Sequence, residues 1–169
     1  MKRALEVIID LKEKGLIKDY AIGGAIGALR WTEPFFTYDL DIFVILQEEA
    51  EKAVVLDLSP IYEYLEKKGY SWQGQWIVIE GIPVDFVPVD EIGREAVEKA
   101  VEVDFEGLKV RVIVPEYLIA LFLKAGRDKD MRKIEMLLPK ADQQKLVNVL
   151  NKYGLTKDFE ERFGHHEKR

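Results

Sequence analysis

The chain has 169 residues, 48% of them hydrophobic and 33% charged, the balance of a folded domain and not of a disordered segment. The absence of cysteine excludes disulfides, zinc–thiolate sites, iron–sulfur clusters and cysteine nucleophiles. A net charge of −6 argues against a protein that coats nucleic acid non-specifically, and no apolar run reaches the ~18 residues of a membrane span.

Met1 to Gly15 places Ala4, Ile8 and Leu11 at helical spacing, with Gly15 as a C-cap. Acids inside its first ten residues and the lack of a small-residue cleavage site argue against a signal peptide, so a cytoplasmic protein is expected. Tyr20–Ile22 predicts a brief strand that stops at Gly23-Gly24, and Ala25–Trp31 a small, buried helix broken by Glu33-Pro34. Leu40–Leu46 is β-branched and aromatic, a strand. Ser59 as N-cap and Pro60 at the first helical position open a helix that ends at Gly69. Gln75–Glu80 and Ile82–Val89 are strand-like runs around Gly81, either a hairpin or one long bulged strand. Glu91–Val101 reads as a short helix and Leu108–Val114 as a half-exposed strand.

From Pro115 the pattern becomes helical: Pro115–Leu123, Asp130–Leu138, Asp142–Asn151 and Thr156–Phe163. The expected layout is a mixed α/β body over residues 1–114 and a C-terminal helical section over 115–169, packed on that body. Charge follows the same division. Residues 1–121 hold 13 basic and 23 acidic side chains, and residues 122–169 hold 12 and 8. An acidic body with a basic C-terminal part suits a metal on one side and an anion on the other.

Chemistry concentrates in Gly23-Gly24 and Thr37-Tyr38-Asp39-Leu40-Asp41. Residues i and i+2 of a strand share a face, so Asp39 and Asp41 project together. Two adjacent carboxylates repel unless a cation lies between them, and oxygen ligands of this kind suit Mg²⁺. Asp85 is flanked by strand residues, where an acid is costly unless paired, metal-bound or facing a cleft; near Pro83 it could also be a plain edge-strand acid. Three converging carboxylates can hold two ions about 3.5–4 Å apart, a clamp for phosphoryl or nucleotidyl transfer. A glycine pair at a strand-to-helix turn lets the backbone approach a phosphate closely. Trp31, Trp72 and Trp76 are read as core or rim packing in preference to base stacking, and His165-His166 as part of a frayed tail. The sequence has no P-loop, His-Glu-x-x-His or Gly-x-Ser-x-Gly motif.

Gly-Gly, a short helix, Thr-x-Asp-x-Asp at the head of a strand and a later strand Asp resemble the nucleotidyltransferases of the DNA polymerase β superfamily. The chain is similar in particular to small prokaryotic members that include the AbiEii-type toxins of abortive-infection and toxin–antitoxin systems. The resemblance covers roughly residues 20–138. It implies an α+β fold, a small mixed sheet flanked by helices with a C-terminal helical section. It implies Asp39, Asp41 and Asp85 as catalytic and metal-binding residues, with Mg²⁺ or Mn²⁺ as cofactor. Gly23, Gly24, Thr37, Lys124 and Arg127 would bind the nucleotide, Lys124 from a helix that begins at Pro115-Glu116. Relatives often carry Arg where Phe35 stands and Asp where Lys133 stands.

The leading expectation is therefore a metal-dependent transferase of a nucleoside monophosphate from an NTP to a hydroxyl on RNA, protein or a small molecule, releasing pyrophosphate. The alternative is a non-catalytic protein of the same fold, acting as antitoxin or binding partner. A sugar-nucleotide transferase using Asp-x-Asp ranks below both, because it leaves Asp85 and Gly23-Gly24 unexplained.

Overall fold

The computed structural model describes residues 1–34, 37–47 and 57–164; Phe35 and the His165-His166 pair lie outside them. In chain order the described elements are α1 (Lys2–Glu13), β1 (Asp19–Gly23), α2 (Gly24–Leu29), β2 (Leu40–Ile45), α3 (Ser59–Lys67), β3 (Ser71–Gln73), β4 (Trp76–Ile79), β5 (Ile82–Pro88), α4 (Glu91–Glu98), β6 (Val101–Phe105), β7 (Leu108–Val112), α5 (Pro115–Ala125), α6 (Met131–Leu137), α7 (Gln143–Lys152) and α8 (Thr156–Phe163). The strands form one mixed sheet in the order β3-β4-β5-β2-β1-β7-β6. β2 is antiparallel to β1 and parallel to β5, and β1 is parallel to β7.

Strand alternation sorts the core into two clusters, one on each face. Ile22, Leu40, Ile42, Val44, Val84 and Phe86 pack with Leu5, Ile8 and Leu11 of α1 and Ile61 and Leu65 of α3. Ala21 and Ile45, on the other face, pack with Ile92 and Ala96 of α4 and with the buried side of α5–α8. A central strand covered on both faces explains why β2 is apolar almost throughout. Asp41 belongs to the second face, between Leu40 and Ile42 of the first.

Helix α5 is the hub of the C-terminal section, packing on α2, α4, α6 and α7. Gly126 closes it in the left-handed region at φ 69°. The Gln75–Glu80 and Ile82–Val89 runs form a hairpin, turning at Glu80 (φ 50°) and Gly81 (φ 79°). This places β5 between β4 and β2, so Asp85 is not an edge-strand acid.

Three expectations need correction. The Glu91–Val101 helix stops at Glu98, because Val101 starts edge strand β6, which pairs with β7 across the Glu106-Gly107 turn. Ser59 is the first residue of α3, not its cap; Leu58 takes the cap position, and the Asp57 carboxylate accepts from the Ser59 N–H at 2.9 Å. Helix α1 ends at Glu13, with Lys14 as its cap and Gly15 beyond it at φ 75°. Among the described residues no helix is long and apolar enough to cross a membrane.

Candidate active site

The carboxylates meet where β1, β2 and β5 lie side by side. In the β1–β2 ladder Gly23 stands opposite Asp41, and in the β2–β5 ladder Asp41 stands opposite Asp85. Paired positions share a face, so Asp41 and Asp85 project together toward α5. Asp39, two residues ahead, is within hydrogen-bonding reach of Asp41.

Burial pushes the Asp41 carboxyl up to about 8, helped by the charge and hydrogen bond of Asp39 and then by the charge of Asp85; Arg127 pulls the other way. Asp85 is also raised, by burial and then by Asp39. A group of acids held this close and this dry favours a cation. Among the described residues no three His, Asp or Glu side chains converge as a finished cage. The donor set instead fits an ion that takes one or two carboxylates and leaves its other positions to water and phosphate, the habit of Mg²⁺.

The two glycines serve different ends. Gly24 has φ 58°, and a Cβ there would lie 1.9 Å from Asp41 Oδ2. Only glycine lets the turn and the carboxylate occupy that space together. A Cβ on Gly23 would instead meet the Phe43 ring at 2.5 Å, so its first duty is packing beneath the site.

A cleft of about 470 Å³ opens over this face, lined by Gly24, Asp41 and Asp85 on the sheet side and by Lys124 and Arg127 on the α5 side. Lys124 is ion-paired with Asp90, and Arg127 bonds the Asp130 carboxylate at 2.7 Å. Thr37 lines a neighbouring apolar cavity with Ile22 and Ile26, apart from this cleft. Arg30 lies over the Trp31 ring, 5.0 Å from its centroid, and also lines that cavity and not the cleft.

Two residues to which the sequence assigns no role in the site anchor the cationic side. Asp90 caps α4 by accepting from the Gly93 N–H at 2.8 Å while it holds Lys124. Asp-x-x-Gly ahead of an amphipathic helix was the available signal for the cap. Asp130 is 1% exposed and pairs with both Arg127 and Lys133 (3.1 Å). Lys133, the departure from the resembled pattern, thus has a structural duty, and Asp130 fixes where Arg127 starts.

Residues 1–167 match the family described as "Nucleotidyl transferase of unknown function (DUF2204)". The chain belongs to this nucleotidyl transferase family. Among solved structures, this nucleotidyl transferase resembles an antigenic nucleotidyltransferase-like protein from Paracoccidioides brasiliensis at 15% identity and TM-score 0.54, covering 92% of this chain and 88% of that one. It resembles the antibiotic-resistance factor ANT(2″)-Ia in solution at 14% identity and TM-score 0.54, covering 96% of both chains. The crystal structure of ANT(2″)-Ia in complex with adenylyl-2″-tobramycin is similar at 14% identity and TM-score 0.51, over 88% of this chain and 95% of that one. At such identities the likeness establishes a shared fold. No curated protein matches. The nucleotidyltransferase superfamily expected from Gly23-Gly24 and the three acids stands; the narrower likeness to AbiEii-type toxins has no counterpart in these matches.

Proposed function

We propose that this protein transfers a nucleoside monophosphate from an NTP to an acceptor hydroxyl and releases pyrophosphate. The observation that carries this reading is the register Gly23–Asp41–Asp85 across three adjacent strands, facing Lys124 and Arg127 over one cleft. Asp39 and Asp41 would hold Mg²⁺ or Mn²⁺; a bound divalent ion supplies positive charge to the triphosphate and acidity to a hydroxyl.

The chain's own groups divide the remaining work. Lys124 and Arg127 bind phosphate oxygens, which requires Lys124 to exchange Asp90 for the ligand, a trade of one charge-assisted bond for another. Gly24 makes room for the Asp41 carboxylate and presents its own backbone to the cleft, where the phosphates would lie. Asp85, whose raised pKa suits a general base, takes the proton of the acceptor hydroxyl as its oxygen bonds to the α-phosphorus. The bond from that phosphorus to the bridging oxygen breaks, and pyrophosphate leaves with its electrons. A small-molecule acceptor is the reading we favour over RNA or protein. What supports this is the likeness in fold to ANT(2″)-Ia, whose crystal structure is in complex with adenylyl-2″-tobramycin.

Thermal melting with each NTP, with and without Mg²⁺, tests the proposal. A ligand at ~100 times its Kd adds about 2.7 kcal/mol, a shift of several degrees. The expected result is a Mg²⁺-dependent shift that disappears in Asp39→Ala. No shift with any NTP would favour the alternative, a non-catalytic antitoxin or binding partner.

A further inference from the structure

The sheet face that carries the carboxylates continues past β5. Ile77 of β4 pairs with Val84 of β5, and both bury on the α1 side. Alternation therefore turns Trp76 and Val78 to the opposite face, the one that bears Asp85. One step along the same register sets Trp76 against Asp85. Trp76 is half-buried, and its ring meets Tyr38 edge-on at 5.4 Å between centroids and 69° between planes. Tyr38 is 51% exposed and directly precedes Asp39. Trp76 thus stands across the ladder from Asp85 and Tyr38 precedes Asp39 in the chain; neither lines the cleft that holds Lys124 and Arg127, and Tyr38 borders the apolar cavity of Thr37.

The charge differs as sharply as the shape. Neither Thr37–Gln47 nor Ser71–Pro88 contains a single Lys or Arg, yet together they carry Asp39, Asp41 and Asp85, and Glu80 at the far end of β4 is paired with Arg3. Proteins that bind single-stranded nucleic acid combine stacking rings with a positively charged groove. Here Asp85 stands across the ladder from Trp76 and Asp39 follows Tyr38, and Lys124 and Arg127 lie in the neighbouring cleft. The cation on the ring side is Arg30, which is laid over Trp31 and lines the cavity that Tyr38 borders.

We propose that Trp76 and Tyr38 form the acceptor platform, and that it takes a non-phosphorylated ring alcohol, neutral or cationic, such as an amino sugar. The ring's C–H face lies on the indole with a hydroxyl toward Asp85, and ammonium groups gain from the aromatic faces and the acids around them. Phosphate-bearing acceptors are disfavoured by the same charge. This inference rests on the nucleotidyl-transfer reading, whose α-phosphate must approach Asp85 from the Lys124 side.

Tobramycin serves as a cationic ring-alcohol probe, and a short single-stranded RNA as its anionic counterpart. Binding to the full chain is read by calorimetry and by tryptophan fluorescence, with Mg²⁺ and a non-hydrolysable ATP analogue present. Tobramycin should bind, Trp76→Ala should weaken it by about tenfold or more, and Trp76→Phe should restore it to within about threefold of wild type. Melting shifts with Mg²⁺ and the ATP analogue in both variants establish that fold and nucleotide side are intact. Equal affinity in Trp76→Ala, absence of tobramycin binding, or RNA binding that depends on Trp76 would overturn the proposal. Loss of the nucleotide shift already in wild type would instead overturn nucleotidyl transfer, which keeps the two failures distinguishable.

Discussion

Asp41 and Gly24 show how closely the site is built around single atoms. Gly24 holds φ 58°, and the space a methyl group would fill belongs to Asp41 Oδ2. Gly24→Ala therefore strains the backbone and displaces the carboxylate; a loss of about 1–3 kcal/mol in urea unfolding is expected, together with loss of the Mg²⁺-dependent nucleotide shift. Asp41→Asn acts in the opposite direction on stability. It removes a carboxylate held against Asp39 and Asp85 in a partly dry setting. Without metal the variant should melt above wild type, by about 2–4 °C for each 1 kcal/mol gained, while Mg²⁺ and ATP no longer shift it. A metal-free Asp41→Asn protein that melts below wild type would mean the carboxylate supports the fold. Much of this site was legible from the sequence because its signal is local. The i, i+2 rule reads Asp39 and Asp41 directly, and an acid inside Ile82–Val87 draws notice to Asp85. Asp90 was not legible as an anchor, because its partner Lys124 is brought to it by the packing of α5 against α4; Asp130 stands three residues from both Arg127 and Lys133, and what the sequence does not show is that it is buried.

Helices α4 and α7 are joined by Glu95. It accepts from Lys152 Nζ at 2.8 Å and from the Tyr153 hydroxyl. Burial pushes Glu95 up, but the bonds from Lys152 and Tyr153 outweigh it, and the net shift is downward. A carboxyl lowered in the folded state contributes stability that is present above its unfolded value of about 4.3 and lost as pH falls through the folded one. Glu95→Gln should cost about 1 kcal/mol at pH 7 and flatten the fall in Tm between neutral and acidic pH. Parallel Tm–pH curves for the two proteins would show that the contact adds nothing. The elements whose sequence carries apolar periodicity, α1, β2, α5 and α7, were readable to within a residue or two. Strands β3 and β6 were not. Ser71–Gln73 is short and exposed, and Val101–Phe105 is an edge strand with acids at alternate positions and no buried residue. What reveals β6 is the Glu106-Gly107 turn into Leu108, a two-residue hairpin signal that ranks above hydrophobic alternation in an edge strand.

One sheet serves two cores, and that sets how the molecule must unfold. Ile8 of α1 is fully buried on one face, and Ile119 of α5 is fully buried on the other. Neither core can dissolve without exposing strands that the other also needs, since β1 and β2 contribute alternate residues to both: Ile22 and Ile42 to one, Ala21 and Ile45 to the other. Asp41 and Asp85 of the candidate site stand on β2 and on its neighbour β5, so the site inherits the stability of the whole sheet. Ile8→Ala and Ile119→Ala should each cost about 2–5 kcal/mol, the range for removing most of a buried aliphatic side chain. Each should lower the midpoint of one shared transition, with far-ultraviolet circular dichroism and tryptophan fluorescence still coincident in urea. The fluorescence reporters stand on both sides of the division. The Trp31 indole N–H bonds the carbonyl of Ile113, which belongs to the α5 core, and the Trp72 ring meets Tyr62 of α3 at a tilt of 54°. If Ile119→Ala moved an early transition seen by one probe and left the other in place, the C-terminal helices would be an independent unit. The site would then be assembled by docking two bodies, with Lys124 and Arg127 delivered by the second. A single coincident transition in both variants means that the cleft is fixed by the fold itself.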